Sequence, residues 1–296
     1  MTKNDLKKLS SIVNNHIQPF GLKTTENDFL LTTNTNLIHL DSNCYVFDQI
    51  FNDKAPNQKK SKQSFFHFKR FNYAYDFLDK EFITASALSN FSGLTDDIKE
   101  YEHFFEVTKI PYEQSYIDTQ KDNLFITCFT VDNNTDKFWQ EYADNHKGLC
   151  LEIEFQNVTS DPGLNSKYEF RDVCYDDCTT FSFYSKMQNE IHNSFQKYLL
   201  TQGIAKFGAL YKRKTNYEWE KETRLLINWG LYSKDLSNSF MLINVNNKKI
   251  LKIPFKNKLF NIQIKQITVG KNLSSSEKSK IKKFAAKKNY NLVWAY

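Results

Sequence analysis

Leu149-Cys150-Leu151-Glu152-Ile153-Glu154-Phe155 decides the fold class. Leu149, Leu151, Ile153 and Phe155 alternate with Cys150, Glu152 and Glu154, the period of two expected of a strand with one face on a core. Just upstream, Gly148 stands where a helix C-cap belongs, and Thr135 can cap a helix running to about His146, with Phe138, Trp139 and Tyr142 at helical spacing. Leu124–Thr130 reads as a buried strand. Further back, Ser64–Phe71 reads as a strand with Phe66 and Phe68 on one face and Phe65, His67 and Lys69 on the other. Asn72–Leu78 suits a short helix and Glu81–Ala85 a second strand.

Downstream, Phe181–Lys212 carries a long helical stretch with Met187, Ile191, Phe195 and Tyr198 along one face. Leu225–Trp229, Ile250–Ile253 and Ile262–Val269 read as strands. Ser274, Ser275 or Ser276 caps a lysine-rich helix to about Lys288, and Leu292-Val293-Trp294 closes the sheet. Near the start, Asp5–Ile17 reads as an amphipathic helix, and Phe29–Leu31 and Tyr45–Phe47 as short strands. The polar, basic run Asn52–Gln63 reads as a linker. These pieces predict an α+β fold: a central mixed or antiparallel split sheet flanked by helices. Residues 1–63 are expected to form a small N-terminal extension and linker, and residues 64–296 the main domain.

Composition narrows the function classes. Of 296 residues, 40% are hydrophobic and 16% aromatic, enough for a sizeable core rich in Phe and Tyr. Only 8 Gly and 5 Pro argue against glycine-rich phosphate loops and long disordered linkers. The polar opening Met1-Thr2-Lys3-Asn4-Asp5 lacks the apolar stretch of a secretory signal, and no apolar run approaches the roughly 18 residues of a membrane span. The 5 cysteines include no C-x-x-C pair. They read as reduced thiols of a cytoplasmic protein, with no metal set.

The net charge of +6 is unevenly spread. Thirteen lysines against the single acid Glu277 give +12 from Lys248 onward, which leaves −6 for the rest. Such an end favours an anionic partner, with Lys278, Lys280, Lys282, Lys283, Lys287 and Lys288 as the nucleic-acid candidates. The plainer reading is that lysine decorates solvated faces in an Asn- and Lys-rich chain.

The candidate chemistry lies in Trp219-Glu220-Lys221-Glu222-Thr223-Arg224. If this run is extended, Glu220, Glu222 and Arg224 share one face, with the carboxylates about 6–7 Å apart. Their repulsion at an effective dielectric near 20 is about 2–3 kcal/mol unless Arg224 offsets it. Two acids on one rigid face can stabilise substrate cations and bind hydroxyls. They can equally be a solvated face in which Arg224 pairs with one acid. A neutral His67 can bond a ribose hydroxyl or phosphate, with Lys69 beside it, or can sit satisfied in a core. Trp139 and Tyr142 can stack on a base or simply pack.

Four stretches resemble a bacterial family catalogued as domain of unknown function 2971. They are Phe65–Lys69 with Phe82–Phe91; Ile126–Thr130 with Phe138–Leu151, including the W-x-x-Y-A-x-x-H-x-G run from Trp139 to Gly148; Lys214 through Trp219 to Glu220, Glu222 and Arg224; and Ile267–Gly270. Asn90–Asp96 departs from the family's usual Phe-Asn-Asp-Pro. The layout also resembles NAD-dependent ADP-ribosyltransferases, with a His on a first strand, Thr or Ser on a second, and a late E-x-E. That resemblance implies an ADP-ribosyltransferase-like fold and an enzyme cleaving the nicotinamide–ribose bond, as a toxin or phage-defence effector. NAD would be a substrate, and a nucleic acid or protein the acceptor. It implies His67 for NAD, Thr84 or Ser86 for the nicotinamide side, Glu222 as catalytic acid and Glu220 as its acceptor-choosing partner. Lys69, Trp139, Tyr142 and Arg224 complete the cofactor-binding set. The rival expectation is a non-catalytic module that binds nucleic acid or protein through the basic C-terminal region. The N-terminal extension is a further place for a protein partner.

Overall fold

The computed structural model describes residues 1–31, 37–40, 64–91, 96–108, 114–133, 135–157, 168–175, 182–195, 199–200 and 204–295. Tyr45–Phe47, Asn52–Gln63 and Tyr198, on which three of the expectations fall, lie outside them. The strands in chain order are β1 (Phe29–Leu31), β2 (Leu37–Leu40), β3 (Ser64–Arg70), β4 (Phe82–Ala87), β5 (Leu124–Thr130), β6 (Gly148–Asn157), β7 (Tyr168–Asp172) and β8 (Cys174–Tyr175). They continue with β9 (Leu199–Leu200), β10 (Tyr211–Lys212), β11 (Glu222–Asn228), β12 (Met241–Val245), β13 (Lys248–Pro254), β14 (Phe260–Val269) and β15 (Leu292–Trp294).

Two compact units share the chain. The first gathers Met1–Asn57, Phe91–Lys121 and Cys174–Glu218, the second Gln58–Asn90, Asp122–Val173 and Trp219–Tyr296. A small N-terminal extension is expected from sequence; the N-terminal segment instead shares its unit with two later segments. Polar linker composition marks an end of continuous chain but says nothing about pieces that return later.

In the first unit, the helix Lys3–Ile17 starts at a Thr2–Asp5 capping box and buries Leu9, Ile12, Val13 and Ile17. The helix Ser182–Phe195 buries Met187 and Ile191. The long helix expected over Phe181–Lys212 is broken: Ser182–Phe195 and Ile204–Ala209 are helical, with β9 between them and β10 after them. Buried Glu100 takes Arg213 through its backbone N–H at 2.9 Å and its guanidinium at 2.5–3.1 Å.

The second unit is built on a mixed ten-stranded sheet flanked by helices, so the chain is α+β. Among the described residues only the β14–β15 pair within this sheet is parallel. β11 pairs with β5 along its whole length, from Glu222↔Thr130 to Asn228↔Leu124. The other edge of β5 is shared: β3 pairs at Thr130, and β4 at Ile126 and Phe125. The sheet therefore forks there, one branch running through β3, β6, β14 and β15 and the other through β4, β13 and β12.

The main core lies on the face bearing Phe125, Phe129, Leu225 and Ile227. The helices Phe71–Asp79 and Ser275–Lys288 cover it with Phe77, Leu78, Ile281 and Phe284. The inward set Leu149, Leu151, Ile153 and Phe155 lies in this core as the alternation requires. Cys150, expected to face outward, is buried on the reverse face with Phe68, Phe138, Trp139 and Ala143. No described helix is long and apolar enough to cross a membrane.

Candidate functional site

The run Trp219–Arg224 does not extend as one strand. Glu218–Glu220 forms a 3-10 turn, Lys221 takes a left-handed backbone at φ 42°, and β11 begins at Glu222. The turn at Lys221 separates the two acids, so the expected Glu220–Glu222 face is not formed. Glu220 accepts the Tyr142 hydroxyl through its carboxylate at 2.5 Å, and the Thr130 hydroxyl through its carbonyl at 2.8 Å. Glu222 is gripped by Arg224, with Nε to Oε1 at 2.8 Å and Nη2 to Oε2 at 3.1 Å. Arg224 is 1% exposed and Glu222 6% exposed. Such a two-pronged bond satisfies both carboxylate oxygens at once.

Strand pleat explains why these charges are neighbours. Glu222 and Arg224 alternate with Thr223 and Leu225, so both fall on the reverse face of the sheet. Arg171 stands opposite Arg224 on β7 and is paired through its Nε with Glu169 at 2.8 Å. Both arginines thus have a carboxylate, and the carboxylate repulsion expected from the sequence is offset. Nearby, the Lys137 ammonium lies 4.0 Å from the Trp219 ring centroid, and Lys221 pairs with Asp132 at 2.9 Å.

His67 lies on the opposite face from Glu222. Phe66 pairs with Thr130, which pairs with Glu222, so these three share a face and His67 takes the other. Its ring, 3% exposed, packs against Phe77 and Phe129 in the main core. Nδ1–H donates to the Cys128 carbonyl at 2.9 Å. Cys128 sits on the edge of β5 between the β3 and β4 pairings, so His67 satisfies a backbone acceptor near the fork. Burial holds the imidazole well below its ordinary 6.5, and the Lys69 cation pushes the same way. Burial also lowers the half-buried Lys69, with Cys128 acting weakly the other way. The structure does not bring His67 and Glu222 into one pocket; it uses His67 as a core residue.

Thr84 and Ser86 do share the face of Glu222 and Arg224, through the chain of pairings Ser86↔Ile126↔Leu226. Trp139 is buried, stacked at 5.7 Å on His146, and is not open to a base. Tyr142 is exposed along its ring, with its hydroxyl committed to Glu220.

The run from Trp139 to Gly148 differs from the expected helix. Helix covers only Asp136–Glu141, and Asp144, Asn145 and His146 follow with φ of 52°, 52° and 66°. Asp and Asn tolerate this left-handed region better than most residues, the signal that could have placed the turn. The turn aims His146 Nε2 at Asp136, 3.0 Å away, and turns its carbonyl toward the Asn272 N–H at 3.1 Å. Gly148 begins β6 instead of capping a helix. A Cβ on Gly148 would lie 2.2 Å from the Lys69 carbonyl oxygen, and one on Gly270 2.2 Å from that of His146. This run is a backbone clamp. The pairs His146–Asp136 and Glu100–Arg213 were missed in sequence because their partners carry no spacing signature.

The terminal helix begins at Ser274, in a capping box with Glu277, and ends at a left-handed Asn289. Lys278 bonds the Lys271 carbonyl, Lys280 lies 3.8 Å from the Tyr75 ring centroid, and Lys288 pairs with Glu81. Lys282, Lys283 and Lys287 are exposed and make no ion pair or hydrogen bond with the described residues. Among the described residues no group of three or more His, Cys, Asp and Glu is placed to hold a metal ion. Comparison with protein-family models, curated proteins and solved structures finds no match for this chain.

Proposed function

We propose that this chain works as a binding module that holds a nucleic-acid backbone on its terminal helix. The observation that carries the reading is the contrast between engaged and open charge: Lys282, Lys283 and Lys287 project into solvent without partners among the described residues. Ile281, Phe284 and Ala285 anchor the same helix in the core. Solvated cations spread over the exposed side of an anchored helix neutralise phosphates and carry no base preference. The test is fluorescence anisotropy with labelled single-stranded RNA and duplex DNA at stepped salt. Binding that weakens steeply with salt on either probe supports the reading; no binding to either at low salt returns the lysines to surface decoration.

One observation favours a second reading, an NAD-consuming ADP-ribosyltransferase-like enzyme. The sheet forks at β5, and Glu222 stands at the start of the strand on the opposite edge, sharing a face with Thr84 and Ser86. In this reading Glu222 stabilises the oxocarbenium-like state and His67 supports the fork instead of touching NAD. Nicotinamide release from NAD is the assay, and Glu222→Gln should lower it at least ~100-fold, about 2.7 kcal/mol. Equal release from both folded proteins removes Glu222 from the role; release by neither leaves the binding module. Kinship with the domain of unknown function 2971 stands as a proposal on the same motifs, whose W-x-x-Y-A-x-x-H-x-G residues here form the backbone clamp.

A further inference from the structure

β12, Met241-Leu242-Ile243-Asn244-Val245, ends one branch of the sheet, with β13 on one side and no described strand on the other. Met241, Leu242 and Val245 are 60%, 39% and 45% exposed. Edge strands of monomeric proteins usually carry a lysine, a proline or a bulge that blocks further pairing. β12 has no charge and no proline, and its register with β13 is unbroken.

The hairpin geometry shows which backbone groups are free. Asn246 and Asn247, at φ 50° and 62°, form a two-residue turn of the kind with both central residues left-handed. In such a hairpin Val245 and Lys248 exchange hydrogen bonds, and by alternation Ile243 and Met241 also turn their backbone groups toward β13. The N–H and C=O of Leu242 and Asn244 therefore face the open edge.

We propose that this edge pairs with the same edge of a second copy of the chain, antiparallel and centred on Ile243. The sequence is self-complementary in that register. Leu242 and Asn244 meet the second copy's Asn244 and Leu242 as hydrogen-bonded pairs, which uses the backbone groups that face outward. Ile243 meets its counterpart in the closer, non-hydrogen-bonded kind of pair. On that face Met241 meets Val245 and Val245 meets Met241, so the contacts of that one face are apolar. A two-fold axis through the Ile243 pair closes the assembly at two copies. Lys248 and Lys252 on β13 do not oppose it. The nearest lysine across the interface stands three strand spacings away, about 14 Å, beyond the roughly 8 Å screening length at physiological salt. This proposal does not depend on the nucleic-acid reading.

Sedimentation velocity over a wide concentration range, joined to amide exchange, tests it on the full chain. The expected result is a monomer–dimer equilibrium in which the Leu242 and Asn244 amides exchange faster on dilution, while the Ile243 amide, already bonded to β13, does not change. Ile243→Lys, which sets two like charges face to face, should weaken association at least about tenfold with an unchanged melt. A wild-type chain that stays monomeric with fast Leu242 exchange at every concentration overturns the proposal. So does a dimer with fast Leu242 exchange, or protection of Leu242 that requires an added peptide. The exchange measurement decides the matter even if the variant fails to fold.

Discussion

The start of β11 and the terminal helix hold their charges in opposite ways. At β11 a guanidinium and a carboxylate are withdrawn from water and locked on each other, Arg224 on Glu222, with Arg171 on Glu169 beside them. On the helix, Lys282, Lys283 and Lys287 stand in water over a buried stripe of Ile281, Phe284 and Ala285. A charge already neutralised by its neighbour has little left to offer a ligand, and its removal is felt by the fold. A solvated charge without a partner contributes little to the fold and remains available to a polyanion. Position in the packing, more than residue type, separates the two groups.

The strongest break of this contrast is Glu222→Gln. It takes the carboxylate charge away from the Nε and Nη2 of a buried guanidinium, so stability should fall by about 3–5 kcal/mol in urea titration. Glu222→Leu with Arg224→Met should cost less than the two single changes together, because both halves of the buried pair are removed at once. A loss of under about 0.5 kcal/mol for Glu222→Gln would mean that the pair is not locked as described.

The backbone clamp comes next. Gly270→Ala places a methyl against the His146 carbonyl and should cost about 1–3 kcal/mol by thermal melt. An unchanged melting point would mean that the turn Asp144–His146 yields freely.

His67 gives a smaller effect with a defined pH window. Its folded pKa lies below its ordinary 6.5, so the fold favours the neutral ring. The unfolded chain takes up a proton first as pH falls. The His67 contribution is therefore fully present above about pH 6.5 and is lost below it, down toward the folded pKa, at no more than about 1.4 kcal/mol per pH unit. Urea titrations at pH 7, 6 and 5 should show the decline, and His67→Gln should flatten it. An unaltered slope in His67→Gln would place the titration elsewhere.

The parts of this architecture that were legible in the sequence are those with a period. The Leu149–Phe155 alternation and the Ser274 capping signal each sit in an observed element, and Ser64–Arg70 forms its strand. Features that depend on distant partners were not legible. Nothing in Phe65-Phe66-His67 says that the imidazole will meet the Cys128 carbonyl at a fork, because the fork exists only once β3 and β4 share one edge of β5. The pattern E-x-E suggested a shared face, but the left-handed Lys221 separates the acids, and lysine carries no such signature. Met241–Val245 was passed over because an edge strand exposed on both faces lacks the alternation that marks a half-buried one.

In the proposed complex the solvated lysines, and not the buried carboxylates, meet the ligand. The direct measurement is the salt dependence of single-stranded RNA affinity for wild type and for the triple variant Lys282→Gln, Lys283→Gln, Lys287→Gln, with melts run in parallel. Melts should stay unchanged within about 0.5 kcal/mol, and the log–log salt slope of the triple variant should be smaller in magnitude by about 2, roughly 0.7 for each of three phosphates released. Superimposable binding curves for the two proteins would contradict it.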